Sequence, residues 1–132
     1  MVLTVQQANA LLPKIAPLLQ QLQALQRSLI STNEQIEEAN RRVSGGNGYP
    51  IEALKQQIRE LTTHQLQLIE SFHSALSQLQ ELGAWVKDLQ MGLVDFYGIR
   101  NGEYIWLCWK LGEERVAYWH PLDEGYANRQ PL

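Results

Sequence analysis

Three histidines, one cysteine and fourteen acidic residues are what this chain has for acid–base, nucleophilic or metal chemistry. They are densest around LCWKLGEERVAYWH, residues 107–120, which holds Cys108 and His120 with Trp109, Tyr118 and Trp119 between them. A cysteine nucleophile needs its thiolate, and a carboxylate neighbour such as Asp95 disfavours that form. Cys108 therefore reads as a small buried thiol. His120 precedes Pro121, and as a base it would want a carboxylate from Asp123 or Glu124. A zinc shared by Cys108 and His120 requires both on one face of a sheet. Glu70 and His73 have the Glu-x-x-His spacing of di-iron helical bundles. Which of these groups meet is decided by the elements that carry them.

The helices come first. Leu11, Ile15, Leu18, Leu22, Leu25, Leu29, Thr32, Ile36, Ala39 and Val43 recur in alternating steps of four and three, a heptad stripe over one long helix, residues 5–43. Thr4 with Gln7 forms a capping box, and Pro13 predicts a kink or restart. SGGNGYP, residues 44–50, breaks the helix. A second stripe, Ile51 to Leu82, makes its antiparallel partner. Thr32 and Gln65 form a polar notch in that seam, a feature that fixes register. In the heptad phase Glu70 and His73 face solvent, which argues against a di-iron site, and His64 is solvated too. A lone hairpin buries only one side of each stripe, so a homodimer with a four-helix core is expected.

From Gly83 the hydrophobic period changes to two. Asn101-Gly102 is the type I′ hairpin dipeptide, and Gly112-Glu113 suits a type II′ turn. Together they predict strands at 93–99, 103–111 and 114–120, with room for a short strand near Trp85–Leu89 and a loop-like tail. The fold class is thus α+β: a long antiparallel, coiled-coil-like helical hairpin (1–83), then a small three-stranded antiparallel β-meander and C-terminal tail (84–132), in one domain. The turns also set the faces. Asn101-Gly102 pairs Tyr97 with Trp106 and Asp95 with Cys108. Gly112-Glu113 pairs Cys108 with Ala117 and Trp106 with Trp119. One face then collects Val94, Phe96, Ile105, Leu107, Trp109, Leu111, Val116, Tyr118 and His120. The other collects Asp95, Tyr97, Tyr104, Trp106, Cys108, Lys110, Arg115, Ala117 and Trp119. In this register Cys108 and His120 point apart, so no metal site and no catalytic residue is expected.

Composition narrows the function classes. The chain has 132 residues and a net charge of −3, without a basic segment, which disfavours nucleic-acid binding. One cysteine makes no internal disulfide, the start MVLTVQQANALL lacks a cationic segment followed by an apolar one, and no run of about 18 apolar residues occurs. A cytoplasmic protein without membrane association is the expectation.

The runs GLVDF, LCWKLGE, YWH and EGYANRQPL, after the helical start TVQQANALLP, resemble a bacterial family catalogued as domain of unknown function 2203. The likeness covers essentially the whole chain. It implies that the C-terminal block is the family signature, and it brings no activity, cofactor or catalytic residue with it.

Two tryptophans, two tyrosines and a few charges on one sheet face resemble a recognition patch. The leading expectation is a non-enzymatic adaptor dimer that grips another protein, without a cofactor. Trp106 and Trp119 are its anchors, Asp95, Lys110 and Arg115 set orientation, Glu124 and Arg129 on the tail complete the rim, and Tyr97 and His120 are counted with the binding residues. The alternative is a small-molecule- or metal-binding protein or enzyme with a site at the sheet edge and tail, built from Asp95, Glu113, His120 and Arg129.

Overall fold

The computed structural model describes residues 1–46 and 48–132. Asn47, in the break between the helices, lies outside the described residues. Two long helices, α1 (Val5–Gly45) and α2 (Ile51–Glu81), pack against each other and precede a five-stranded antiparallel sheet. Its strands, in both chain and spatial order, are β1 (Trp85–Asp88), β2 (Leu93–Arg100), β3 (Glu103–Lys110), β4 (Tyr118–Pro121) and β5 (Gln130–Pro131). A 3-10 turn, Tyr126–Asn128, precedes β5. The fold is α+β, a helical hairpin followed by a β-meander.

The capping box forms as its residues dictate. Thr4 N–H donates to Gln7 Oε1 (2.9 Å), and Gln7 N–H donates back to Thr4 Oγ1 (3.1 Å). The helix does not restart at Pro13: both Pro13 and Pro17 lie inside a continuous α1. Every residue of the two heptad stripes is buried or half-buried, while Glu70, His73 and His64 are exposed.

The chain divides into two compact units, Met1–Gln23 with Ala75–Leu132, and Ala24–Ser74. In the second, Thr32, Ala39 and Leu54 are buried, and Ile30, Leu66 and Ile69 are exposed. In the first, Ala8, Ile15, Leu19, Leu22 and Leu79 join Val94, Phe96, Leu107, Trp109 and Val116 in the apolar core. Long-range hydrogen bonds fix the sheet within this unit. Asn9 Oδ1 accepts from Val116 N–H (2.7 Å), Gln23 Nε2 donates to the Leu89 carbonyl (3.0 Å), and Leu3 N–H donates to the Tyr97 carbonyl (2.8 Å).

The β2–β3 hairpin has the expected register, Asp95 opposite Cys108 and Tyr97 opposite Trp106. Asn101 and Gly102 both have positive φ (52° and 79°), as a type I′ turn requires. The β3–β4 connection differs. Its turn centres on Leu111 and Gly112, with Glu113 N–H donating to the Lys110 carbonyl (3.0 Å) and Gly112 at φ 102°. Glycine thus occupies the position of a type II turn that needs positive φ. Residues 111–117 then form a loop instead of the first half of a strand. β4 pairs Cys108 with Tyr118, Leu107 with Trp119 and Trp106 with His120, one residue away from the expected register. Because side chains alternate, that single step exchanges the faces of Tyr118, Trp119 and His120. The short strand allowed for near Trp85–Leu89 forms as the edge strand β1. One further correction concerns extent: the tail contributes β5, which pairs with β4 and is anchored by Leu132 N–H on the Ala117 carbonyl (2.9 Å).

Candidate functional site

The corrected register brings Asp95, Cys108 and His120 onto one face, on three adjacent strands. Cys108 is the middle one, and its small side chain leaves room for the two larger groups to meet. His120 Nε2 lies 3.0 Å from Asp95 Oδ2, and its Nδ1 lies 2.9 Å from the Pro121 carbonyl oxygen. All three residues are buried, at 1–3% exposure, and their donor atoms lie within 4.8 Å of one another.

The protons can be assigned from the partners. A carbonyl oxygen only accepts, so His120 Nδ1 carries a hydrogen and donates it to Pro121. The contact between Nε2 and Asp95 then needs one further proton, shared between imidazole and carboxyl. Burial raises the Asp95 pKa, against the pull of His120, Cys108 and Lys87. Burial also pushes the Cys108 thiol up to about 12, helped by the Asp95 charge and opposed by Arg129. Cys108 is therefore a thiol at neutral pH, not a thiolate nucleophile.

A cavity of about 150 Å³ adjoins the cluster. Asp95, Cys108, His120, Leu93 and Trp106 line it from the sheet, Lys87 from β1, and Leu122, Glu124, Gly125 and Tyr126 from the tail. The tail thus lies over this face of the sheet. A clasp holds it there. Arg129 makes two hydrogen bonds to the Glu113 carboxylate (3.1 and 2.8 Å), and its guanidinium lies 4.0 Å from the centre of the Tyr118 ring and 4.4 Å from that of Tyr126. Glu113 Oε1 also accepts from Lys110 N–H (2.7 Å), and the Glu113 carbonyl accepts from Trp109 Nε1 (3.0 Å). Arg129→Ala leaves the Glu113 carboxylate, 23% exposed, without its cation. A cost of about 2 kcal/mol is expected, below that of a fully buried pair because solvent screens it. Urea denaturation measures that cost, and hydrogen exchange should show residues 122–132 opening more readily. Unchanged exchange there would rule out the clasp.

The residues singled out from sequence separate into groups. Asp95, Trp106, His120 and Glu124 line the cavity. Tyr97 stacks on Trp106 at 4.0 Å, and Lys110 lies 5.7 Å from the Tyr126 ring centre. Arg129 and Glu113 form the clasp. Arg115 is exposed in the 111–117 loop and lies outside the cavity lining. Trp119 is corrected to the opposite face, beside Leu107, where Arg100 covers its ring at 4.8 Å. Its Nε1 is buried without a hydrogen-bond partner among the described residues. Trp106 is only 7% exposed. The two tryptophans therefore do not form one open patch. Sequence reasoning missed Cys108, Lys87 and Tyr126. Cys108 was excluded by the wrong β4 register, Lys87 sits in the short strand near Trp85–Leu89 for which no turn set a register, and Tyr126 sits in a tail read as loop.

The class defined by this geometry is a helical-hairpin α+β protein with a buried carboxylate–thiol–imidazole cluster beneath its own C-terminal tail. The chain belongs to the family of uncharacterized conserved proteins DUF2203, whose pattern matches residues 2–132. No curated protein and no solved structure matches it. No helix among the described residues is long and apolar enough to cross a membrane.

Proposed function

We propose that the protein binds one divalent transition metal of the zinc class through Asp95 carboxylate, Cys108 Sγ and His120 Nε2, and that this metal serves a small-molecule site. The observation that carries this reading is the convergence of three different donor atoms within 4.8 Å in a buried site. A bond of about 2.0–2.3 Å to each donor needs only small side-chain adjustments from that spacing. Mixed sulfur, nitrogen and oxygen donors suit zinc, cobalt or iron and disfavour magnesium and calcium, which take oxygen ligands. His120 is oriented as metal-bound histidines usually are, with the far nitrogen donating to a backbone carbonyl and Nε2 directed at the site.

Charge supports the same reading. Without metal, the buried cluster holds one proton on the Asp95–His120 contact and one on the thiol, and is neutral overall. A dication that displaces both protons leaves carboxylate, thiolate and neutral imidazole around it, and the cluster is neutral again. Three protein donors are also the number found where the metal does chemistry, not where it only holds a fold together.

The test is titration of chelator-treated protein with zinc or cobalt. One metal per chain is expected, with the thiolate-to-metal absorption of cobalt. Affinity should fall by about 100-fold or more in both Cys108→Ala and His120→Ala, more than the loss of an outer-shell partner costs. Wild-type affinity in either variant would refute the assignment.

A further inference from the structure

We infer that the fourth coordination position of this metal opens on the cavity and takes a small carboxylate-type anion, held at its far end by Lys87. The inference rests on the metal reading above. Three protein ligands leave one tetrahedral position free. The same three residues line the cavity, which makes the cavity the side from which an exogenous ligand reaches the metal. At about 150 Å³ it accommodates a molecule of roughly six heavy atoms, the scale of benzene in an engineered cavity of that size.

Lys87 determines the ligand's charge. It is the unpaired residue where the β1–β2 register slips, between Val86 opposite Val94 and Asp88 opposite Leu93. A bulge of this kind re-aims a side chain out of the regular alternation. The Lys87 ammonium lies 3.9 Å from the centre of the Trp106 ring, and Trp106 is itself part of the cavity lining. Its charge reaches Asp95, whose carboxyl it draws toward ionisation. Among the described residues Lys87 forms no ion pair, whereas Arg129 is committed to Glu113. Lys87 and Glu124, the other charged side chain on the lining, are both exposed; what ties Lys87 to the cluster is its seat on the Trp106 ring, part of the sheet side of the lining, whereas Glu124 belongs to the tail.

With a neutral metal cluster, Lys87 is the one uncompensated charge on the sheet side of the cavity. A carboxylate with one oxygen on the metal and its charge shared with Lys87 restores neutrality. An uncharged ligand of the same shape does not, so the site discriminates by charge more than by size.

Cobalt-loaded protein tests this directly, because the visible spectrum of cobalt reports its coordination sphere. Sodium acetate is the probe, and acetamide is its uncharged counterpart. Acetate should change the spectrum saturably while acetamide does not. Lys87→Met should weaken acetate binding about tenfold, the loss expected for one charge-assisted contact, with cobalt stoichiometry unchanged. Equal responses to acetate and acetamide, or wild-type acetate affinity in Lys87→Met, would overturn the inference and leave the metal site standing. Failure of the wild type to bind cobalt at all would overturn both.

Discussion

Asp95→Asn should abolish tight metal binding and leave the metal-free fold as stable as before, or more so. The side chains are nearly the same size. The new amide nitrogen can donate to His120 Nε2, and the amide oxygen can still accept from the Cys108 thiol, so the local hydrogen bonds survive. What disappears is a buried carboxyl whose pKa is raised above its ordinary value, chiefly by burial. A group shifted in that direction favours folding below its unfolded pKa, and the benefit is lost as pH rises through its folded pKa. At neutral pH the Asp95 carboxyl is thus a cost to the metal-free protein, and asparagine removes it. Metal binding changes in the other direction. A neutral amide is a weak ligand and leaves the buried dication one negative charge short. Replacing even an outer-shell partner typically costs 10–100-fold in metal affinity, so loss of this ligand should cost about 100-fold or more. Thermal melts with and without zinc separate the two effects. Wild type should gain roughly 3 kcal/mol at a zinc concentration one hundred times its dissociation constant, while Asp95→Asn should show almost no shift at that concentration. A variant that melts early and still responds to zinc would make Asp95 structural and remove the basis of the site.

That contrast also explains how much of the protein is legible from its sequence. The helices follow directly, because each stripe residue repeats a local rule over many turns and errors average out. The β2–β3 hairpin follows as well, because Asn101-Gly102 fits one turn type and one turn type fixes one register. The site does not follow, because it depends on where a single glycine sits in a turn. With Gly112 first, the loop has two residues and His120 enters the apolar core. With Gly112 second, preceded by Leu111, the chain leaves the sheet for 111–117 and His120 joins Asp95. Tertiary contacts favour the second arrangement: Asn9, more than a hundred residues away, accepts from Val116 N–H, and Trp109 Nε1 binds the Glu113 carbonyl. No local pattern announces either bond. Trp119 is exchanged in the same step, and with it goes the paired-tryptophan surface on which the adaptor reading stood.

The proton inventory of the cluster leads to the second large effect, a steep gain in metal affinity with pH. The Cys108 thiol, held near 12, keeps its proton across the neutral range, and the shared proton stays on the Asp95–His120 contact for as long as that pair is singly protonated. Each metal ion must expel both. Every proton released adds about one logarithmic unit of affinity per pH unit, so two give a slope of about two, or roughly 100-fold tighter binding per unit of pH. The direction is opposite to that of metal-free stability, which Asp95 burial makes weaker as pH rises. Zinc should therefore matter most to the fold at the alkaline end. Calorimetric titration in buffers of different ionisation enthalpy counts the protons independently of the slope. The residual, weaker binding of Cys108→Ala, followed at higher zinc, should release about one proton where wild type releases about two. A wild-type count near zero would mean that zinc meets an already ionised site, and the neutral-exchange argument for this cluster would be wrong.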